Sequence, residues 1–482
     1  MSKCEEAAAR ADRYFRQGFL EAAVDWWNEA LNSSARNDLC VQIYDGLGKA
    51  AIKRERPVDA LSWFDKALVI IPEADIETHT SVAMRRAVAL SLAGQRDRAF
   101  REAHHLVRSP RFGALSPQRQ GIILINFAGL EMGNELFEAA IESLTHAATV
   151  LAPYGRTPYD YALRTNLGIS YLELRDPIRA RLWFQRAILS GPANPIRAVN
   201  GLAHIAVLMG HDDEMQRWGH AAFTGIWDSL MSFETEELAY LSEVLGYMAL
   251  NLGHGRLAVR LFDQSQGLYG RSGIWNRWRL LNPVIADAEA LKKPGTINAL
   301  AQEIERFTVL MEFMLAQDLI MPQASELADI RLLVADRLGN AMGMGDEQKR
   351  DLTYVCRLAD VGLSAVTEPD ESTGYVASPR LYNQHPSISV RLLDRLGLSE
   401  GILQGIQDHH ERWDGQGFPD GKRGNDIALV GRIFAVVDRY ARQTVISHAP
   451  HRVVIADIQE QSGTTFDPAC VDNFVRVFED VM

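Results

Sequence analysis

The chain has 482 residues, a hydrophobic fraction of 47% and a formal net charge of −12. That length suits two or three domains with sizeable cores, and the acidic balance argues against a nonspecific nucleic-acid binder and against attachment to an anionic membrane surface. Cys4, Cys40, Cys356 and Cys470 show neither paired nor metal-knuckle spacing and read as reduced thiols.

The N-terminus, Met-Ser-Lys-Cys-Glu-Glu, has no apolar run behind its charges, and no segment approaches the ~20 apolar residues of a membrane span. A cytoplasmic location is therefore expected. The first half of the chain repeats itself. Leu47-Gly48, Ala60, Phe64, Ala67 and Pro72 are matched by Leu167-Gly168, Ala180, Phe184, Ala187 and Pro192, with the same offsets from the glycine. The pattern resembles the tetratricopeptide repeat, a helix-turn-helix unit of about 34 residues. Partial copies surround Gly18 and Trp27, Gly94 and Ala99, and Gly253 and Phe262. About seven helix pairs are expected between residues 5 and 270.

The small and aromatic positions read as packing rather than chemistry, and His104-His105 lies on a repeat helix without acidic company. The resemblance implies a curved solenoid over residues 1–272 whose concave face takes a protein partner. Contacts between neighbouring units make its stability nearly modular, so a fragment ending near Ser272 is expected to fold alone.

Residues 273–319 break the pattern. Lys292-Lys293-Pro294-Gly295 punctuates them, and Ile297 to Ala316 reads as one apolar-rich connector helix with a face that suits a homodimer.

The most informative stretch is His409-His410-Glu411-Arg412-Trp413-Asp414-Gly415-Gln416-Gly417-Phe418-Pro419. It resembles the HD-GYP signature, His-His-Glu-x-x-Asp-Gly-x-Gly-Tyr-Pro, with Phe418 in place of the tyrosine. His385-Pro386 upstream and Phe466-Asp467-Pro468 downstream resemble further family segments, and the likeness covers about residues 320–482. A phosphate-binding loop is a poorer reading of Gly415 to Gly421-Lys422. Its glycines are too far apart, and Arg423 stands where Ser or Thr should hold magnesium.

The resemblance implies an all-α protein, with the tetratricopeptide-like solenoid followed by an HD-type helical bundle. It also implies metal-assisted hydrolysis of cyclic di-GMP, for which neutral imidazoles and carboxylates converge on the metal ions. The carry-over is uneven. The name-giving His-Asp aligns with Ala359-Asp360, and the family's lysine with Leu363. The early His or Glu ligand aligns with Leu327; Glu326, one residue away, is turned by about 100° on a helix. The ligands carried over are Asp360, His385, His409, His410 and Asp438. Two of four are lost at one metal position, while the other keeps Asp360, His385, His409 and His410.

The sequence therefore leads us to expect no catalytic residues and at most one iron, manganese or zinc ion. The function expected is that of a signalling regulator. Its degenerate domain binds cyclic di-GMP, or docks a diguanylate cyclase through a loop of Asp414, Gly415, Gly417, Phe418 and Pro419, without efficient hydrolysis. A weak phosphodiesterase and a ligand-free scaffold are the alternatives.

Overall fold

The computed structural model describes residues 2–479 apart from 34–35, 193, 230–233, 292–297, 322, 371–373 and 378–380. The Lys292-Lys293-Pro294-Gly295 punctuation and Ile297 lie outside the described residues. The described chain is helical but for one short hairpin, and it begins with seven helix pairs. These are α1 (Lys3–Gln17) with α2 (Leu20–Asn32), α3 (Asn37–Lys53) with α4 (Pro57–Ile70), and α5 (Ile76–Leu92) with α6 (Arg96–Arg108). After a single turn, α7 (Pro110–Gly113), come α8 (Pro117–Gly133) with α9 (Phe137–Leu151) and α10 (Asp160–Glu173) with α11 (Pro177–Leu189). The last two pairs are α12 (Ile196–Met209) with α13 (Asp212–Trp227), and α14 (Thr235–Asn251) with α15 (Gly255–Arg271).

The repeat residues explain the pairing. A Cβ on Gly168 would fall 2.6 Å from the Phe184 ring, and one on Gly246 2.6 Å from the Phe262 ring; Gly48 stands in the same relation to Phe64. Each glycine lets the second helix of its pair lay a fully buried aromatic against the backbone of the first. Pro57 and Pro177 open second helices, where a missing N–H costs nothing.

Two helices, α16 (Trp275–Ala290) and α17 (Ala299–Ile320), lead to the bundle. The bundle comprises α18 (Ala324–Ala341), α19 (Asp346–Leu358), the antiparallel hairpin β1 (Thr367–Asp370) and β2 (Gly374–Ala377), α20 (His385–Leu393), α21 (Glu400–Asp408), α22 (Leu429–Val445), α23 (His451–Glu460) and α24 (Pro468–Glu479). Helices α18, α19, α21 and α22 pack on one another and carry the core.

Both ends of the array share their apolar core with the rest of the chain. One continuous apolar cluster runs from α1–α3 and α12–α15 through α17 into the bundle. At the first repeat, Phe19 lies 4.8 Å from Phe478, and Tyr14 lies 5.3 Å from His451. Asp25 accepts the His451 backbone N–H at 2.6 Å. At the last repeats, Trp227 packs on Tyr354 at 5.5 Å beneath the Arg357 guanidinium. Leu300, Ile304, Phe307, Leu310 and Met311 of α17 are buried within the chain, so the apolar face read as a dimer surface is already covered. No helix among the described residues is long and apolar enough to cross a membrane.

Candidate metal centre

Asp360 follows the end of α19, His385 opens α20, and His409 and His410 lie at and just beyond the end of α21. Adjacent residues within a helix point about 100° apart; only where the helix stops can both imidazoles turn to one point. One ligand atom from each of Asp360, His385, His409 and His410 lies within 4.8 Å of the others. Among the described residues this is the one such group, and His104-His105 forms none.

The hydrogen bonds show what the group can hold. His385 Nδ1 lies 2.7 Å from the Tyr382 carbonyl, and His409 Nδ1 lies 2.6 Å from the Ile406 carbonyl. A carbonyl can only accept, so both rings carry their proton on Nδ1. The two bare Nε2 lone pairs then face each other at 3.1 Å. His410 Nε2 is buried without a partner. Two facing lone pairs beside a carboxylate and an unpartnered imidazole nitrogen favour a cation among them, so the residues fit a divalent metal. Burial pushes His409 down to about 4 and lowers His385 and His410, which keeps the imidazoles neutral.

Supporting residues fix these ligands. Ser389 accepts the Gly362 N–H at 2.7 Å and donates to the Ala359 carbonyl at 2.9 Å, tying the Asp360 turn to α20. A Cβ on Gly362 would fall 2.7 Å from the Ser389 nitrogen, which explains the glycine kept after Asp360. Fully buried Asp408 accepts from Lys422 at 2.7 Å and from the Ala428 N–H at 2.9 Å. Lys422 thus anchors the loop that follows the histidines.

That loop packs onto the ligands. Phe418 stacks on His410 at 4.7 Å and 30°, and its N–H donates to the His410 carbonyl at 3.2 Å. A Cβ on Gly417 would lie 2.6 Å from the Glu411 Cα and from the His410 oxygen. Gly415 has φ +82°, a conformation that favours glycine. Asp414 accepts from Arg412 at 2.6 and 3.0 Å, which, despite the opposing effect of burial, holds its carboxyl down at about 2. Pro419 completes the turn before Asp420, whose N–H donates to Glu411.

Two residues that sequence reasoning missed decide the other side of the site. Arg331 of α18 and Arg442 of α22 both bridge Asp360 and Asp438. Arg331 donates to Asp360 at 2.7 Å and to Asp438 through Nε at 2.8 Å and Nη2. Arg442 donates to Asp360 at 2.8 and 3.0 Å and to Asp438 at 2.8 and 3.1 Å. Burial alone would push both carboxyls up. The two guanidiniums outweigh it, holding Asp360 well below the usual carboxylate range and Asp438 below it. Asp438 is therefore held between arginines rather than grouped with the three imidazoles.

Leu327 is fully buried, Ala359 is buried with no ligand atom, and Leu363 is buried. Glu326 faces the repeats, where it pairs with Arg54 at 3.1 Å and Arg56 at 3.2 Å. The available signal was the pattern itself. Arg331 interrupts an apolar stripe of Leu327, Ile330, Val334 and Leu338, and Arg442 stands one turn after Asp438.

Comparison with known proteins agrees with this domain. Residues 310–470 match the HD domain family. The cyclic di-GMP phosphodiesterase response regulator RpfG of Xanthomonas campestris pv. campestris is 31% identical over 157 residues, covering 30% of this chain and 40% of that protein. A cyclic di-GMP phosphodiesterase of Thermotoga maritima is 26% identical over 159 residues, covering 31% of this chain and 43% of that one. The chain thus spans under half the length of these relatives. A solved tetratricopeptide repeat protein from Parabacteroides merdae aligns with 56% of this chain and 99% of its own, at 13% identity and a TM-score of 0.33. The C-terminal part is an HD domain homologous to cyclic di-GMP phosphodiesterases, and it follows a tetratricopeptide-like repeat array.

Proposed function

We propose that the protein is a signalling regulator whose HD domain binds cyclic di-GMP, or docks a diguanylate cyclase, without cutting the nucleotide efficiently, while the repeats recruit a protein partner. The observation that carries this reading is the pair of guanidiniums bridging Asp360 and Asp438. A bridged metal pair needs those carboxylates, and Arg331 and Arg442 already neutralise them.

His385, His409, His410 and Asp360 would hold one ion of iron, manganese or zinc. Such an ion supplies Lewis acidity and lowers the pKa of bound water. The chain's own residues orient the site: Tyr382 and Ile406 fix the imidazole tautomers, and Ser389 fixes the Asp360 turn. Neither Ala359 nor Leu363 can ligate an ion or pair with phosphate. The intact four-residue cluster supports a second reading, a weak single-metal phosphodiesterase.

The test is product formation from cyclic di-GMP with added manganese, or with ferrous iron under anaerobic conditions. Negligible turnover alongside measurable nucleotide binding is expected. Clear turnover abolished by Asp360→Ala would favour the enzyme.

A further inference from the structure

The two arginines are not equivalent. The Arg331 side chain is 4% exposed; Nε and Nη2 are occupied by the two carboxylates, and the Phe434 ring lies 5.1 Å from its guanidinium. The Arg442 side chain is 27% exposed. Its Nε and Nη2 hold Asp438 and Asp360, but Nη1 has no acceptor among the described residues. A guanidinium carries five N–H donors in a planar fork, and the unused pair lies at the edge away from the carboxylates.

Tyr382 packs against the imidazoles of the same site. Its ring is 5.0 Å from His385 and 5.9 Å from His410, Arg442 is the strongest charge acting on it, and its hydroxyl has no partner among the described residues. Two carboxylates balance two guanidiniums, and the imidazoles are neutral. A divalent ion would therefore leave the centre with excess positive charge and, among the described residues, no further carboxylate paired with it.

We infer that Arg442, through Nη1, and the Tyr382 hydroxyl form a recognition edge for one phosphate group of a phosphate ester. A fixed guanidinium there does the work a second cation would otherwise do. This rests on the reading that the domain takes up a nucleotide, and it names how that nucleotide's phosphate is held. Charge-assisted hydrogen bonds to phosphate from a planar, pre-oriented donor are strong and geometrically selective, and lysine does not reproduce them.

The test uses the full chain, with and without bound zinc, titrated calorimetrically with inorganic phosphate and with cyclic di-GMP. Arg442→Lys keeps the charge that neutralises Asp360 and Asp438 but removes Nη1; Tyr382→Phe removes only the hydroxyl. Each should weaken both probes by about tenfold, the loss of one such bond; the Tyr382→Phe melt should stay close to wild type, while Arg442→Lys, which also gives up bonds to Asp360 and Asp438, need only remain folded. Unchanged affinity in both folded variants would overturn the inference, as would failure of the wild-type protein to bind either probe. Phosphate binding that depends on Arg442 without cyclic di-GMP binding would support the edge and sink the nucleotide reading. Cyclic di-GMP binding that is equal in all variants would keep the nucleotide reading and sink the edge.

Discussion

Arg331→Met is the most direct probe of the guanidinium pair. The substitution keeps an apolar stem in the stripe of Leu327, Ile330 and Val334 but removes a buried cation shared by Asp360 and Asp438. Arg442 alone then faces two carboxylates, of which Asp360 is 1% exposed. Breaking a buried pair by removing one partner costs about 3–5 kcal/mol, because the other charge is left uncompensated. That is a large fraction of the roughly 5–15 kcal/mol that holds a domain together. The vacated position, flanked by two carboxylates, then suits a divalent cation. Manganese or zinc at about 100 times its dissociation constant would return about 2.7 kcal/mol. Urea denaturation of wild type and variant, each with chelator and with metal, is the assay. A loss under about 1 kcal/mol, or a loss that metal does not reduce, would refute the argument that Arg331 stands where a cation belongs.

Elemental analysis of protein purified without chelator should find at most one ion per chain, and His409→Ala should lower that occupancy sharply, since one of three imidazoles is gone. Gly417→Ala should weaken metal binding by about tenfold or more, because the new Cβ pushes on the Glu411 backbone and the His410 carbonyl; unchanged affinity would mean that the loop does not support the ligands. His451 is buried against the first repeat and lowered from 6.5 to about 4, by burial first and then by Arg452. It folds neutral, so its contribution is fully present above 6.5 and is lost as the pH falls towards 4, by about 3 kcal/mol. His451→Gln should flatten the stability profile in that window, and an unchanged slope would remove His451 from the acid sensitivity. A fragment ending at Ser272 should be helical by circular dichroism but should melt below the full chain and self-associate, because it exposes the surfaces that α17 and the bundle cover. An equal melting temperature would restore the modular view.

The sequence alone was enough to identify the local units. The Gly48/Phe64 and Gly168/Phe184 spacing encodes helix pairs because a bare backbone and an aromatic must meet at fixed offsets. The His409-His410 motif pointed to the domain, and the resemblance at Ala359-Asp360 and His385-Pro386 added the other two residues that the fold groups with it. These signals are local, or they belong to short motifs whose residues act together.

Tertiary structure alone decided three things. Which carboxylates remain available depends on Arg331 and Arg442, which come from helices about 100 residues apart and meet only in the folded bundle. Glu326 could be kept out of the site on helical phase, but its actual partners, Arg54 and Arg56, lie about 270 residues away. The apolar ends of the repeat array are completed by α17 and the bundle, and burial against a distant segment leaves no periodic mark in the sequence. Helical phase and residue spacing are written along the chain; charge compensation and shared cores arise only from contacts across it.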